Sequence, residues 1–255
     1  ASLKGADDIR LNLYRSRRRS DALHFKVFRL GADISLSEVI PLLENMGLRV
    51  LTEHLYELDL QGTPLYIQDI TVEPAARCDF DIDEIRAPFQ AAFERIWRGQ
   101  AENDAFNKLI LGANMDWRQV SMLRGYCKYL LQTGVPFSQA YMEETLNRYP
   151  AIAGLLVELF EAKFDPARES AGKAAIEQAK KRLAKEIERR YRDDGYFLTR
   201  VIVPAQTIRD GRMRIRVLEG YIAAIEYQDD LGPAGLARSV VVVSTSDEPA
   251  LMRRQ

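Results

Sequence analysis

Apolar and polar residues alternate with a period of two over residues 23–29, where Leu23, Phe25 and Val27 stand against more polar neighbours, and this predicts a strand. Ser35-Leu36-Ser37-Glu38 then reads as a capping box, a hydroxyl and a carboxylate answering each other's orphan amides. The helix it opens sets Leu36, Val39, Ile40 and Leu43 on one face and stops at Gly47, a residue suited to a left-handed cap. Residues 48–60 and 64–72 read as strands paired across the Gly-containing loop Gln61-Gly62-Thr63. A second helix, over about residues 85–98, buries Phe89, Phe93, Ile96 and Trp97. The order is β-α-β-β-α, without a clear closing strand.

The pattern changes after residue 100. Phe106, Leu109, Ile110 and Ala113 fall at helical spacing. Asp116 can cap a helix carrying Trp117, Val120, Leu123, Cys127 and Leu130, and Ser138 can cap the next. Pro150 suits the first turn of a last helix with Ile152, Leu155, Leu156, Leu159 and Phe160 on its apolar face. Residues 167–173 read as a linker, and residues 174–192 as a charged helix with a narrow stripe of Ile176, Leu183, Ile187 and Tyr191. Strands follow at 198–203 and, after Asp210-Gly211, at 213–218, where Met213, Ile215 and Val217 oppose Arg212, Arg214 and Arg216. The tail holds a short strand at 240–243 between polar residues expected to fray. The expected fold class is therefore α+β: a ferredoxin- or ACT-like sandwich, then a helical bundle, then a small C-terminal α+β segment.

Composition narrows the chemistry. Across 255 residues, 47% hydrophobic and 29% charged describe a globular chain, and a net charge of −1 gives no bulk attraction to nucleic acid or anionic membrane. No apolar run approaches the ~20 residues of a spanning helix, and residues 1–8 have no signal-peptide pattern, so the expected location is cytoplasmic. Cys78 and Cys127 match no metal or redox spacing. No Gly-rich dinucleotide or phosphate loop occurs; Gly232 and Gly235 are the nearest glycine pair and follow no suitable strand. His24 and His54 each stand alone in strand-like segments and read as packing residues. Asp79, Asp81, Asp83 and Glu84 read as a solvated helix entry, and residues 15–19, with four arginines, as an exposed loop. The expectation is a chain with no catalytic residues, no metal site and no cofactor of its own.

Several long words carry a resemblance. Residues 41–50 (PLLENMGLRV), 92–104 (AFERIWRGQAEND), 116–120 (DWRQV), 126–134 (YCKYLLQTG) and 137–141 (FSQAY) strongly resemble the large bacterial NAD-specific glutamate dehydrogenases, over about residues 6–166. In that family these words lie upstream of the catalytic region, in ACT-like and helical segments, so no catalytic residue carries over. The resemblance implies a regulatory or assembly role within an oligomeric enzyme whose NAD and glutamate sites lie elsewhere, and inactivity of this chain alone. It implies a small amino-acid effector near the first strand–helix turn, at Gly31, Ala32 and Asp33, with Asn45, Met46 and Gly47 at the helix's far end. It also implies self-association or contact with a catalytic region.

After Pro166 the words change. Residues 191–201 (YRDDGYFLTRV), 208–211 (IRDG) and 215–222 (IRVLEGYI) look like the polypeptide-transport-associated (POTRA) module of outer-membrane secretion transporters. That likeness implies a client-peptide surface at Tyr196, Leu198 and Val201. The expected organisation is an N-terminal extension (1–22), an ACT-like domain (23–100), a helical domain (101–166), a POTRA-like segment (167–228) and a tail (229–255). The two resemblances belong to different compartments, so a fragment, fusion or mosaic with a seam near residues 165–173 is also an expectation.

Overall fold

The computed structural model describes residues 8–16, 22–76, 80–134, 136–165, 172–196, 199–204, 214–228 and 238–246. The chain divides into two compact units, Ala1–Val157 and Glu158–Gln255. In the first, an antiparallel sheet of four strands runs in the order β1-β2-β4-β3, formed by β1 (Ile9–Arg15), β2 (Leu23–Leu30), β3 (Leu48–Leu60) and β4 (Thr63–Pro74). Helices α1 (Leu36–Asn45) and α2 (Ile82–Trp97) follow β2 and β4.

The missing closing strand is supplied from the N-terminal side. Ile9–Arg15, assigned above to an extension, pairs antiparallel with β2 from Ile9 opposite Arg29 to Arg15 opposite Leu23. Its apolar residues Ile9, Leu11 and Leu13 alternate with Arg10, Asn12 and Tyr14, a strand pattern that the reading of residues 1–22 as an extension passed over; Ile9 and Leu13 are buried and Leu13 is fully enclosed. Arg15 is thus a strand residue, not part of a loop, while Arg17–Arg19 lie outside the described residues. The outer edge of β1 is covered by α2: Gln90 Oε1 accepts from the Leu13 amide at 2.9 Å, and Arg86 Nε donates to the Leu13 carbonyl at 2.8 Å.

Local chemistry sets the element ends. Gln61 (φ 54°) and Gly62 (φ 86°) make the tight turn between β3 and β4, and Asp59 accepts from the Gly62 amide at 2.7 Å. The Ser35 capping box does not form. Ser35 begins α1, but its hydroxyl is engaged with that of Ser37 at 2.6 Å and makes no cap bond. Asp81 caps α2 through the Asp83 amide, so the helix starts three residues earlier than expected.

Residues expected as the first helix of the bundle instead form a 3₁₀ turn (Ala105–Lys108) and a single helical turn, α3 (Leu109–Gly112). Helices α4 (Trp117–Gln132), α5 (Gln139–Arg148) and α6 (Pro150–Phe164) follow. Asp116 and Gln119 complete a full capping box on α4, and Ser138 caps α5 through the Tyr141 amide. One continuous core runs from Ile9 to Val157, joining Phe25, Phe89 and Phe93 of the sandwich to Phe106, Leu109 and Val120 of the helices. Phe25 packs edge-on against Phe89 at 5.7 Å and tilted on Phe93 at 4.8 Å, geometries aromatic quadrupoles favour.

In the second unit, α7 (Gly172–Asp193) precedes a sheet of order β5-β6-β7, with β5 (Arg200–Ile202), β6 (Arg216–Gln228) and β7 (Arg238–Ser246). β6 continues ten residues past Leu218, where the strand was expected to end, because it pairs with β7 from Glu219 opposite Ser246 to Gln228 opposite Arg238. The short tail strand is thus a full sheet member. The turn expected at Asp210-Gly211 lies outside the described residues.

Candidate functional site

The turn between β2 and α1 is built by one left-handed residue, Gly31 (φ 80°), whose amide donates to the Pro64 carbonyl at 2.8 Å and ties the turn to the β3–β4 hairpin. Arg29 donates to the Asp33 carbonyl at 3.1 Å. Beneath the turn lies Gln68, in β4 and only 3% exposed. Its Nε2 donates to the Ile34 carbonyl at 2.5 Å, while its Oε1 is buried with no hydrogen-bond partner. A buried acceptor left unmade costs its desolvation, so a donor able to reach it would be favoured. Beside it, partial burial and the carboxylates of Glu57 and Asp33 push the Tyr66 phenol above its ordinary value, and Glu57 bonds to it. The turn end of the sheet thus offers carboxylates, a phenol and an unmet amide oxygen, a set suited to an ammonium group.

The structure does not bring the other three residues of the expected effector site to this turn. Asn45, Met46 and Gly47 lie at the opposite end of α1, about 15 Å away along a ten-residue helix. Met46 is fully buried, Asn45 donates to Asn103 Oδ1 at 3.1 Å, and a Cβ on Gly47 would lie 3.7 Å from Leu111 and Lys108. They join α1 to the helical segment. Gln68 was missed; its signal was a polar residue on the core-facing alternation of β4, between Tyr66 and Ile70.

Of the expected peptide-binding residues, Tyr196 is half exposed, with its ring 6.0 Å from that of Tyr191. Val201 is buried in β5 and its amide donates to Glu188 at 2.8 Å. Leu198 lies outside the described residues. His24 stacks on Tyr14 at 5.2 Å and bonds to Asp69 at 3.2 Å, whereas His54 is exposed on β3. Among the described residues no three His, Cys, Asp or Glu side chains are grouped to hold a metal ion, and no helix is long and apolar enough to cross a membrane. Cys127 is a buried free thiol, pushed up by burial and by the charges of Glu143 and Asp104.

The ordered sandwich and helices match known sequences. Residues 8–85 match the glutamate dehydrogenase ACT3 domain and residues 101–166 the glutamate dehydrogenase helical motif 3. Residues 8–166 resemble NAD-specific glutamate dehydrogenase. The enzyme of that name from Halomonas elongata is 45% identical over 174 residues, 68% of this chain but 11% of that protein. The Pseudomonas aeruginosa enzyme is 44% identical over 147 residues, 57% of this chain and 9% of its own length. The Mycobacterium tuberculosis enzyme is 39% identical over 142 residues, 53% of this chain and 9% of its own length. The chain therefore spans only about a tenth of these glutamate dehydrogenases. Residues 167–220 match the POTRA domain, ShlB-type.

The relatives' name implies NAD, and the dehydrogenase-like sandwich does not fit it. A pyrophosphate needs open helix-start amides free of negative charge. Here α1 carries Glu38 in its first turn, and α2 opens on Asp81, Asp83 and Glu84. The sheet, being antiparallel throughout, also lacks the parallel switch point where dinucleotides bind.

Proposed function

We propose that this chain is a non-catalytic regulatory and assembly region of an NAD-specific glutamate dehydrogenase, whose whole polypeptide converts L-glutamate to 2-oxoglutarate with NAD. The observation that carries the reading is the match of two consecutive glutamate dehydrogenase segments in one stretch, 45% identical over 174 residues to a relative of which that stretch makes up only 11%. The turn Gly31–Asp33, with the unmet Gln68 oxygen beneath it, is the surface where a small amino acid would act as effector. Its ammonium would meet Asp33, Glu57 and Gln68.

The test is thermal melting of the chain with each amino acid in turn. A binding effector present at ten times its dissociation constant raises stability by about 1.4 kcal/mol and the melting point by a few degrees. Gln68→Leu should abolish the shift while leaving the protein folded. No shift with any amino acid would reduce the role to assembly alone. Incubation with glutamate and NAD should give no NADH, and measurable turnover would overturn the non-catalytic reading.

A second reading is favoured by the match of residues 167–220: a POTRA-type module that takes an extended client strand at the β5 edge, near Tyr196 and Val201. It expects added client peptide to slow hydrogen exchange at residues 200–202.

A further inference from the structure

The two edges of the first sheet are finished differently. Gln90 and Arg86 close the β1 edge at Leu13, whereas the edge strand β3 runs for 13 residues with no side chain of the described residues bonded to its outer backbone. Such an edge is a template for another strand. A bulge at Leu51, between Val50 and Thr52, resets the alternation, so the register with β4 assigns each later residue to a face. Glu53, Leu55, Glu57 and Asp59 pair with Ile70, Gln68, Tyr66 and Pro64 on the helix-covered side. His54, Tyr56, Leu58 and Leu60 lie on the open side, where Tyr56 and Leu58 pair with Ile67 and Leu65, and those in turn with Phe28 and Leu30. Leu55, Tyr56, Leu58 and Leu60 are each about half exposed.

We infer that the β3 edge is a docking site for an extended segment of a different protein whose residues alternate between basic and apolar, added as a fifth strand of the sheet. Its basic residues lie beside Glu53, Glu57 and Asp59, and its apolar residues extend the open-side patch of Phe28, Ile67, Tyr56 and Leu58. Backbone bonds supply affinity, and the acidic row and the apolar row supply register and specificity. A second copy of β3 is disfavoured by charge. Antiparallel registers centred on Leu55, Tyr56, Glu57 or Leu58 set Glu53, Glu57 or Asp59 against one another, and shifts toward the start of β3 meet the bulge. The docking site stands on the sheet edge and does not depend on the dehydrogenase reading.

The experiment adds three short peptides to the full chain: one alternating lysine and valine, one with the same residues but the lysines grouped, and one alternating glutamate and valine. Hydrogen exchange read by mass spectrometry should show residues 52–60 protected by the lysine–valine alternation alone. Glu57→Lys, at an exposed position, should weaken that binding about fivefold or more, and added salt should weaken it too. Should Glu57→Lys fail to fold by circular dichroism, Glu57→Gln, which keeps a hydrogen-bond acceptor for Tyr66, replaces it. Absent protection at residues 52–60, equal protection by the grouped or glutamate peptide, or unchanged binding in the variant overturns the proposal. So does sedimentation showing a dimer that Leu58→Lys converts to monomer, since the edge would then belong to a second copy.

Discussion

The guanidinium of Arg124, only 5% exposed, holds the Asp104 carboxylate through two bonds of 2.6 and 2.9 Å and reaches Asn107 Oδ1 at 2.9 Å. Asp104 in turn starts the 3₁₀ turn by accepting from the Phe106 amide at 3.1 Å. One buried ion pair therefore fixes the turn that carries Phe106 into the shared core. Removing one partner of such a pair strands the other charge, so Arg124→Ala should cost about 3 kcal/mol in urea unfolding. Arg124→Lys should recover little, because an ammonium cannot reproduce the planar fork. In the sequence, Arg124 is one of two arginines on an amphipathic helix. What marks it is burial, which depends on α4 packing against the turn.

At the scale of elements, the legible features were those with local chemistry. The Asp116 cap, the Ser138 cap, Pro150 at a helix start and the Gln61-Gly62 turn all use bonds or torsions within a few residues of chain, and all four form. Asp116→Ala removes an acceptor for two amides at 2.8 and 2.9 Å, and should lower stability by about 1–2 kcal/mol, measured as a shifted denaturation midpoint at unchanged m-value. Elements decided by partners were missed. The second half of β6 has a weak pattern of its own and exists because β7 supplies its backbone bonds, whereas β1 alternates legibly and needed only its pairing with β2 to be recognised as part of the sheet. The Ser35 box failed for a related reason: a closer hydroxyl, Ser37, competed for the side chain.

For the whole molecule, the division at Val157/Glu158 falls inside α6, whereas the helical-motif match continues to residue 166. The continuous core of the first unit makes the sandwich and the helical segment one cooperative body. Scanning calorimetry should therefore show two transitions for the full chain, the larger belonging to residues 1–157. A single transition matching its van't Hoff enthalpy would show that both units unfold together.

The sequence by itself determined the α+β class, most strand and helix positions, the left-handed turns and the likeness to two families, because periodicity, caps and turn residues act over short stretches of chain. Tertiary structure alone decided which strand closes the sheet and that Met46 and Gly47 pack α1 against the helical segment. It also decided that Gln68 lies beneath the Gly31 turn and that β3 presents an open acidic and apolar edge. Each of these depends on residues far apart in sequence meeting across the sheet, where register and burial, not local pattern, assign a side chain its neighbours.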